Sequence, residues 1–197
     1  MRRGDYCKVR AAQGHSRPVP VSPALRARKL DRSEIRSRTV EALKSVGLAD
    51  AGGKYPWQLS GGMQQRVAIA RAIATRPEIL VMDEPFASVD ARTRFELEDL
   101  TLALQHKYGM TVLLVTHDID EAVYLAERVV VLSKNPCRVR EIIDVDLGQN
   151  RDQITSRELP QFIEIRHGVF ILILNWYPRG CWLVLGNFFR FVLCSQR

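Results

Sequence analysis

An α/β fold built around a parallel sheet is what this chain predicts, and three observations predict it. Ile79-Leu80-Val81-Met82 is a short, wholly apolar run that stops at Asp83. Thr111 to Val115 is a second such run. Between them, Arg92 to Lys107 is long enough for a helix and carries Phe95, Leu97, Leu100, Leu102 and Leu104. A run almost free of polar positions suits a strand covered on both faces, and strands that alternate with helices lie parallel in such sheets.

The other elements follow in order. From about Leu30, Asp31 or Ser33 can cap a helix with Ile35, Val40, Leu43 and Val46 on one side, and Gly47 is its stop. A loop with Gly52, Gly53 and Pro56 comes next. Ser60 then caps a helix from Met63 to about Thr75, with Val67, Ala70, Ile73 and Ala74 as its packing residues. Past the second apolar run, Asp118 to Ala126 reads as a short helix and Arg128 to Leu132 as a third strand. Arg138 to Leu147 alternates weakly, which suggests an antiparallel edge. No internal repeat is visible.

These elements divide the chain into three zones. Residues 30–168 form the expected domain, with a helical part over 30–76 and a sheet-bearing part over 77–168. Residues 1–29 read as a low-order arm outside that domain, because Pro18, Pro20 and Pro23 favour an extended path without a packed core. Residues 169–197 are an apolar tail with neither helical nor strand periodicity, and exposed they would invite aggregation.

The formal charge of +7 suggests a polyanion partner until its distribution is read. Met1 to Arg38 hold 11 Lys and Arg against 3 Asp and Glu, and Val169 to Arg197 hold 3 Arg and no acid. The middle of the chain is mildly acidic, which argues against nucleic acid. Cys7, Cys137, Cys181 and Cys194 form no C-x-x-C pair, so free thiols are expected in place of a disulfide framework or zinc site. No apolar stretch follows Met1-Arg2-Arg3, and Asn175, Pro178, Arg179, Asn187 and Arg190 interrupt the apolar end. Neither a secretory signal nor a membrane span is expected.

Four short motifs carry chemistry. Ser60-Gly61-Gly62 heads a helix, where free N–H groups and a close backbone approach favour an anion. The plain alternative is an N-cap with a glycine turn. Asp83 and Glu84 stand at the carboxyl end of an apolar strand, where α/β sheets place ligand groups. Alternatively they cap the turn that follows. Ser88-Val89-Asp90 precedes a helix and can cap it. Thr116-His117-Asp118 closes the second strand, and a lone histidine there is more often merely polar.

Taken together and in this order, Leu59-Ser60-Gly61-Gly62-Met63-Gln64-Gln65-Arg66, Ile79 to Pro85, Ser88-Val89-Asp90 and Thr116-His117-Asp118 resemble the ATP-binding subunit of an ABC transporter. The resemblance spans roughly Leu30 to Gly168. It implies the C-terminal part of a P-loop NTPase domain with its helical signature subdomain and an incomplete parallel sheet. It also implies ATP and Mg²⁺ as cofactors. Asp83 matches the Walker B aspartate that helps hold the metal, and Glu84 the glutamate that polarises the attacking water. His117 matches the histidine that contacts the γ-phosphate. Ser60, Gly61, Gly62, Met63 and Gln64 match the signature motif, which meets the γ-phosphate bound by an opposite, head-to-tail subunit. Met63 replaces the family's usual glutamine. Asp90 matches the D-loop aspartate.

Thr116 to Ala122 and Val129 to Ser133 look most like importers for nitrate, sulfonate or taurine. Transmembrane permease subunits are then the partners, at the cytoplasmic face of the membrane. A DNA-acting ATPase of related fold is the less favoured class.

No G-x-x-x-x-G-K-[ST] loop occurs in the 197 residues. Gly53-Lys54 lies just before the signature and is followed by Tyr55 where Ser or Thr belongs. The expectation is therefore negligible ATP turnover by this chain alone. It is also expected that strand Ile79 to Met82 lacks a neighbour and leaves backbone groups unpaired. Two readings compete: part of an importer ATPase, or a catalytically dead partner that lends its signature motif to a composite site.

Overall fold

The structure, a computed structural model, describes residues 6–9, 21, 25, 30–133, 138–174 and 191–195, the first and last of these segments as backbone. The chain forms two compact units, 1–111 and 112–197.

The first unit holds β1 (Tyr6–Val9), α1 (Arg32–Ser45), α2 (Gly61–Ile73), β2 (Ile79–Asp83) and α3 (Ala91–Tyr108). Asp31 caps α1 by accepting from the Glu34 N–H at 2.8 Å. Gly47, at φ +73°, ends it in the left-handed region. Ala42, Leu43 and Val46 face inward, whereas Val40 is exposed and does not belong to the packing side. α2 is the centre of this unit and packs on α1, β1 and α3. Val67, Ala70, Ile73 and Ala74 are all buried, as their spacing predicts.

Two strand expectations change. β2 does not lack a neighbour, because β1 pairs with it in parallel, Tyr6 opposite Ile79 through Val9 opposite Met82. Four residues inside the 1–29 arm thus satisfy one side of the β2 ladder. Residues 10–20 lie outside those described. β2 is also buried on alternate residues, Leu80 and Met82, and only partly covered on the others. α3 turns Leu97, Thr101 and Leu104 inward together with Glu98 and Gln105, and leaves Phe95 exposed.

The second unit holds β3 (Thr111–Thr116), α4 (Ile119–Leu125), β4 (Arg128–Leu132), β5 (Val139–Asp144), α5 (Thr155–Glu158), α6 (Pro160–Leu174) and β6 (Phe191–Ser195). β3 and β4 each pair with β6 antiparallel, so they run parallel to one another with β6 between them. The predicted direction holds, but the neighbour comes from the apolar tail, where no strand was expected. That run of Phe191-Val192-Leu193-Cys194 is too short for period-2 alternation to show. β5 is the antiparallel edge beside β4, and its residues are mostly exposed. α6 continues to Leu174, past the boundary drawn at 168. Arg151 is half-buried in this unit. Its Nη1 donates to the carbonyls of Tyr124 and Ala126, and its Nε to that of Gly148 at 3.1 Å, which closes the C-terminal end of α4. Among the described residues, no helix is long and apolar enough to cross a membrane.

Candidate phosphate-facing sites in the two units

In the first unit the signature residues form the start of α2. Ser60 Oγ accepts from the Met63 N–H at 3.3 Å, so Ser60 is the N-cap. Gln64 Nε2 donates to the carbonyls of Pro56 and Leu59, both at 3.1 Å, and ties the preceding loop to the helix. Arg66 reaches the Val46 carbonyl at 3.2 Å and Glu96 at 3.1 Å, joining α2 to the end of α1 and to α3.

The two glycines do different work. A Cβ on Gly61 would meet nothing within 4 Å, so its backbone is open to an approaching group. A Cβ on Gly62 would stand 2.5 Å from Cγ2 of Thr93, in the first turn of α3. Thr93 cannot easily give way. Its N–H donates to Asp90 Oδ1 at 3.0 Å and its hydroxyl to Asp90 Oδ2 at 2.7 Å. Asp90 is thus the N-cap of α3, and the signature glycine sits directly against the residue that Asp90 holds. These bonds also hold the Asp90 carboxyl below the usual carboxylate range, the Thr93 N–H contributing most and its hydroxyl next.

Asp83 ends β2 and Glu84 follows it with φ +48°, one of two non-glycine residues in the left-handed region among those described. Pro85 disfavours the right-handed helical region at position 84, and buried Phe86 anchors the turn from the other side. Both carboxylates are partly exposed. The positive φ at Glu84 is backbone strain stored beside two carboxylates at a strand end.

In the second unit His117 is exposed at the end of β3, and Asp118 caps α4. His117 opens onto a cleft of about 540 Å³ whose other walls include Asp118, Asp120, Arg166, His167 and Phe170. Arg166 lies 3.7 Å from Asp120 across it.

Sequence reasoning missed Thr93 as the partner of Gly62. The spacing Asp90-x-x-Thr93 was the available signal, since an N-cap and a residue three later often bond reciprocally. It also missed the contact of Glu121 with Thr116 and the bonds of Arg151 to the end of α4.

An ABC transporter family model matches residues 9–87. An uncharacterised ABC transporter ATP-binding protein of Methanocaldococcus jannaschii is 48% identical over 145 residues, 74% of this chain and 52% of that protein. The aliphatic sulfonates import ATP-binding protein SsuB of Bacillus licheniformis is 47% identical over 135 residues, 68% of this chain and 51% of that one. The taurine import ATP-binding protein TauB of Rhizobium johnstonii is 39% identical over 153 residues, 76% of this chain and 58% of that one. Among solved structures, cbiO1 of Clostridium perfringens, part of an ABC transporter complex, aligns with a TM-score of 0.58 at 32% identity, covering 63% of this chain and 51% of that one.

The family binds nucleotide, usually with Mg²⁺. The residues present do not fit complete Mg²⁺–ATP. No phosphate loop stands in the 197 residues, and among the described residues no three His, Cys, Asp or Glu gather into a metal-holding group. The start of α2 keeps open space around Gly61, and helix N-termini in general favour an anion. The chain spans about half the length of the relatives it matches. With the ABC ATPase fold and the ordered motifs, this identifies the chain as a member of the ABC transporter ATP-binding family.

Proposed function

We propose that the chain is part of the ATP-binding subunit of an importer for a small anion such as nitrate, sulfonate or taurine, coupling ATP hydrolysis to transport. Its partners are permease subunits and a second ATP-binding subunit packed head to tail, and it sits peripherally at the cytoplasmic face of the membrane. No nucleic acid takes part. The solute class rests on relatives named for nitrate, sulfonate and taurine import.

The observation that carries this reading is the junction of Ser60, Gly61, Gly62 and Asp90. The open Gly61 backbone and the Asp90-held start of α3 lie side by side through Gly62 and Thr93. In the proposed assembly, Ser60, Gly61, Gly62, Met63, Gln64 and Asp90 meet the γ-phosphate carried by the opposite subunit. Asp83, Glu84 and His117 take the metal, water and phosphate roles only where a phosphate loop completes their own half.

The missing phosphate loop favours a second reading, in which the chain only donates its signature to a composite site. Pairing the chain with a subunit that keeps its phosphate loop separates the two. ATP hydrolysis by the pair is measured with Ser60→Ala and with Glu84→Gln. Loss at Ser60 alone supports the donor reading, and equal loss from both sinks it in favour of two working sites. Hydrolysis unchanged by either substitution sinks both.

A further inference from the structure

Glu121 is a buried carboxylate that takes no part in the site described above. It lies in the first turn of α4, 4% exposed, and its Oε2 accepts a 2.7 Å hydrogen bond from the hydroxyl of Thr116, the last residue of β3. The same Thr116 oxygen accepts from the Asp118 N–H at 3.1 Å. Asp118 Oδ1 accepts in turn from the N–H groups of Asp120 at 2.9 Å and Glu121 at 3.2 Å. A continuous set of bonds therefore runs from α4 to the residues immediately before and after His117.

A buried carboxylate is costly unless it is hydrogen-bonded. The start of α4 does not require one, because Asp118 already caps it. What the carboxylate adds is an acceptor that fixes the Thr116 hydroxyl, so that the hydroxyl oxygen faces the Asp118 N–H. Thr116 and Asp118 are both tied, so the backbone of the exposed His117 is held on either side.

We propose that Glu121 is the positioning residue for His117, acting through Thr116. The inference rests on the reading in which His117 meets a phosphate, where aim within a fraction of an ångström matters. Its test needs no nucleotide, so it fails or succeeds separately from that reading.

The full chain is labelled with ¹⁵N-histidine, and the ring signals of His15, His106, His117 and His167 are recorded, with His117→Gln assigning the third. Glu121→Ala is expected to shift and broaden the His117 signals while the other three stay in place. Glu121→Gln, whose amide oxygen can accept from Thr116, restores them. Should Glu121→Ala not fold, Thr116→Val and Thr116→Ser decide: the valine, which lacks the hydroxyl, displaces the His117 signals and the serine does not. Unmoved His117 signals in a folded Glu121→Ala or Thr116→Val chain overturn the proposal. So does an equal change at all four histidines, which would mark a general structural role.

Discussion

Gly62 and Thr93 touch so closely that the α2 backbone and the start of α3 leave no room for a methyl group between them: a Cβ on Gly62 would lie 2.5 Å from Thr93 Cγ2. The contact joins the signature helix to the residue that Asp90 caps. A glycine that looks like a phosphate-approach residue is thus also a packing requirement.

This contact predicts opposite outcomes for adjacent glycines. Gly62→Ala is expected to destabilise the chain by about 1–3 kcal/mol, the usual cost of overpacking. Thr93→Ser removes the offending methyl and should recover most of that loss. Gly61→Ala, with open space around it, should be neutral or gain a few tenths of a kcal/mol from helix propensity. Urea midpoints at constant slope check all three.

The backbone at Glu84 makes a second prediction. A non-glycine residue in the left-handed region costs roughly 1–2 kcal/mol, and glycine gives back about 0.4–1 kcal/mol through the unfolded chain. Glu84→Gly should therefore be more stable by roughly 0.5–1 kcal/mol than Glu84→Ala, which removes the same carboxylate but keeps a Cβ. Arg76, at φ +48° after α2, is the matched control, since its exposed pair with Glu41 contributes little. A Glu84→Gly chain no more stable than Glu84→Ala would show that the turn is not strained.

Acid should act through the helix caps. Asp31, Asp90 and Asp152 are each held below the usual carboxylate range, chiefly by backbone N–H donors at Glu34, Thr93 and Thr155 respectively. A depressed folded pKa means the stabilisation is present above the unfolded value near ~3.9 and is lost as the pH falls through the folded value. Asp90→Asn keeps an acceptor for the Thr93 N–H but cannot titrate. Its stability should fall less steeply than the parent's below about pH 4. Chemical denaturation at a series of pH values from neutral into that range gives the comparison, and identical slopes would refute the assignment.

Much of the helical part was legible because its signals are local. Asp31, Ser60, Asp90 and Asp118 cap four helices at positions where side-chain chemistry alone marks a start. The packing face of α2 follows from a 3.6-residue period. The faces of α1 and α3 were partly misread, at Val40 and Phe95, because exposed apolar residues are common and periodicity does not say which stripe meets a neighbour.

By itself the sequence determined the family, the order of strand and helix through residues 30–132, and the identity of the motif residues, because each is encoded within a few neighbouring positions. It also determined that no G-x-x-x-x-G-K-[ST] loop is present. Only the tertiary structure decided what lies beside what. It set β1 against β2, placed β6 between β3 and β4, packed Gly62 on Thr93, and tied Glu121 to the end of β3. The physical reason is that strand pairing and close packing join residues far apart in the chain, and such contacts are chosen by the competition among all available surfaces, which no local pattern records.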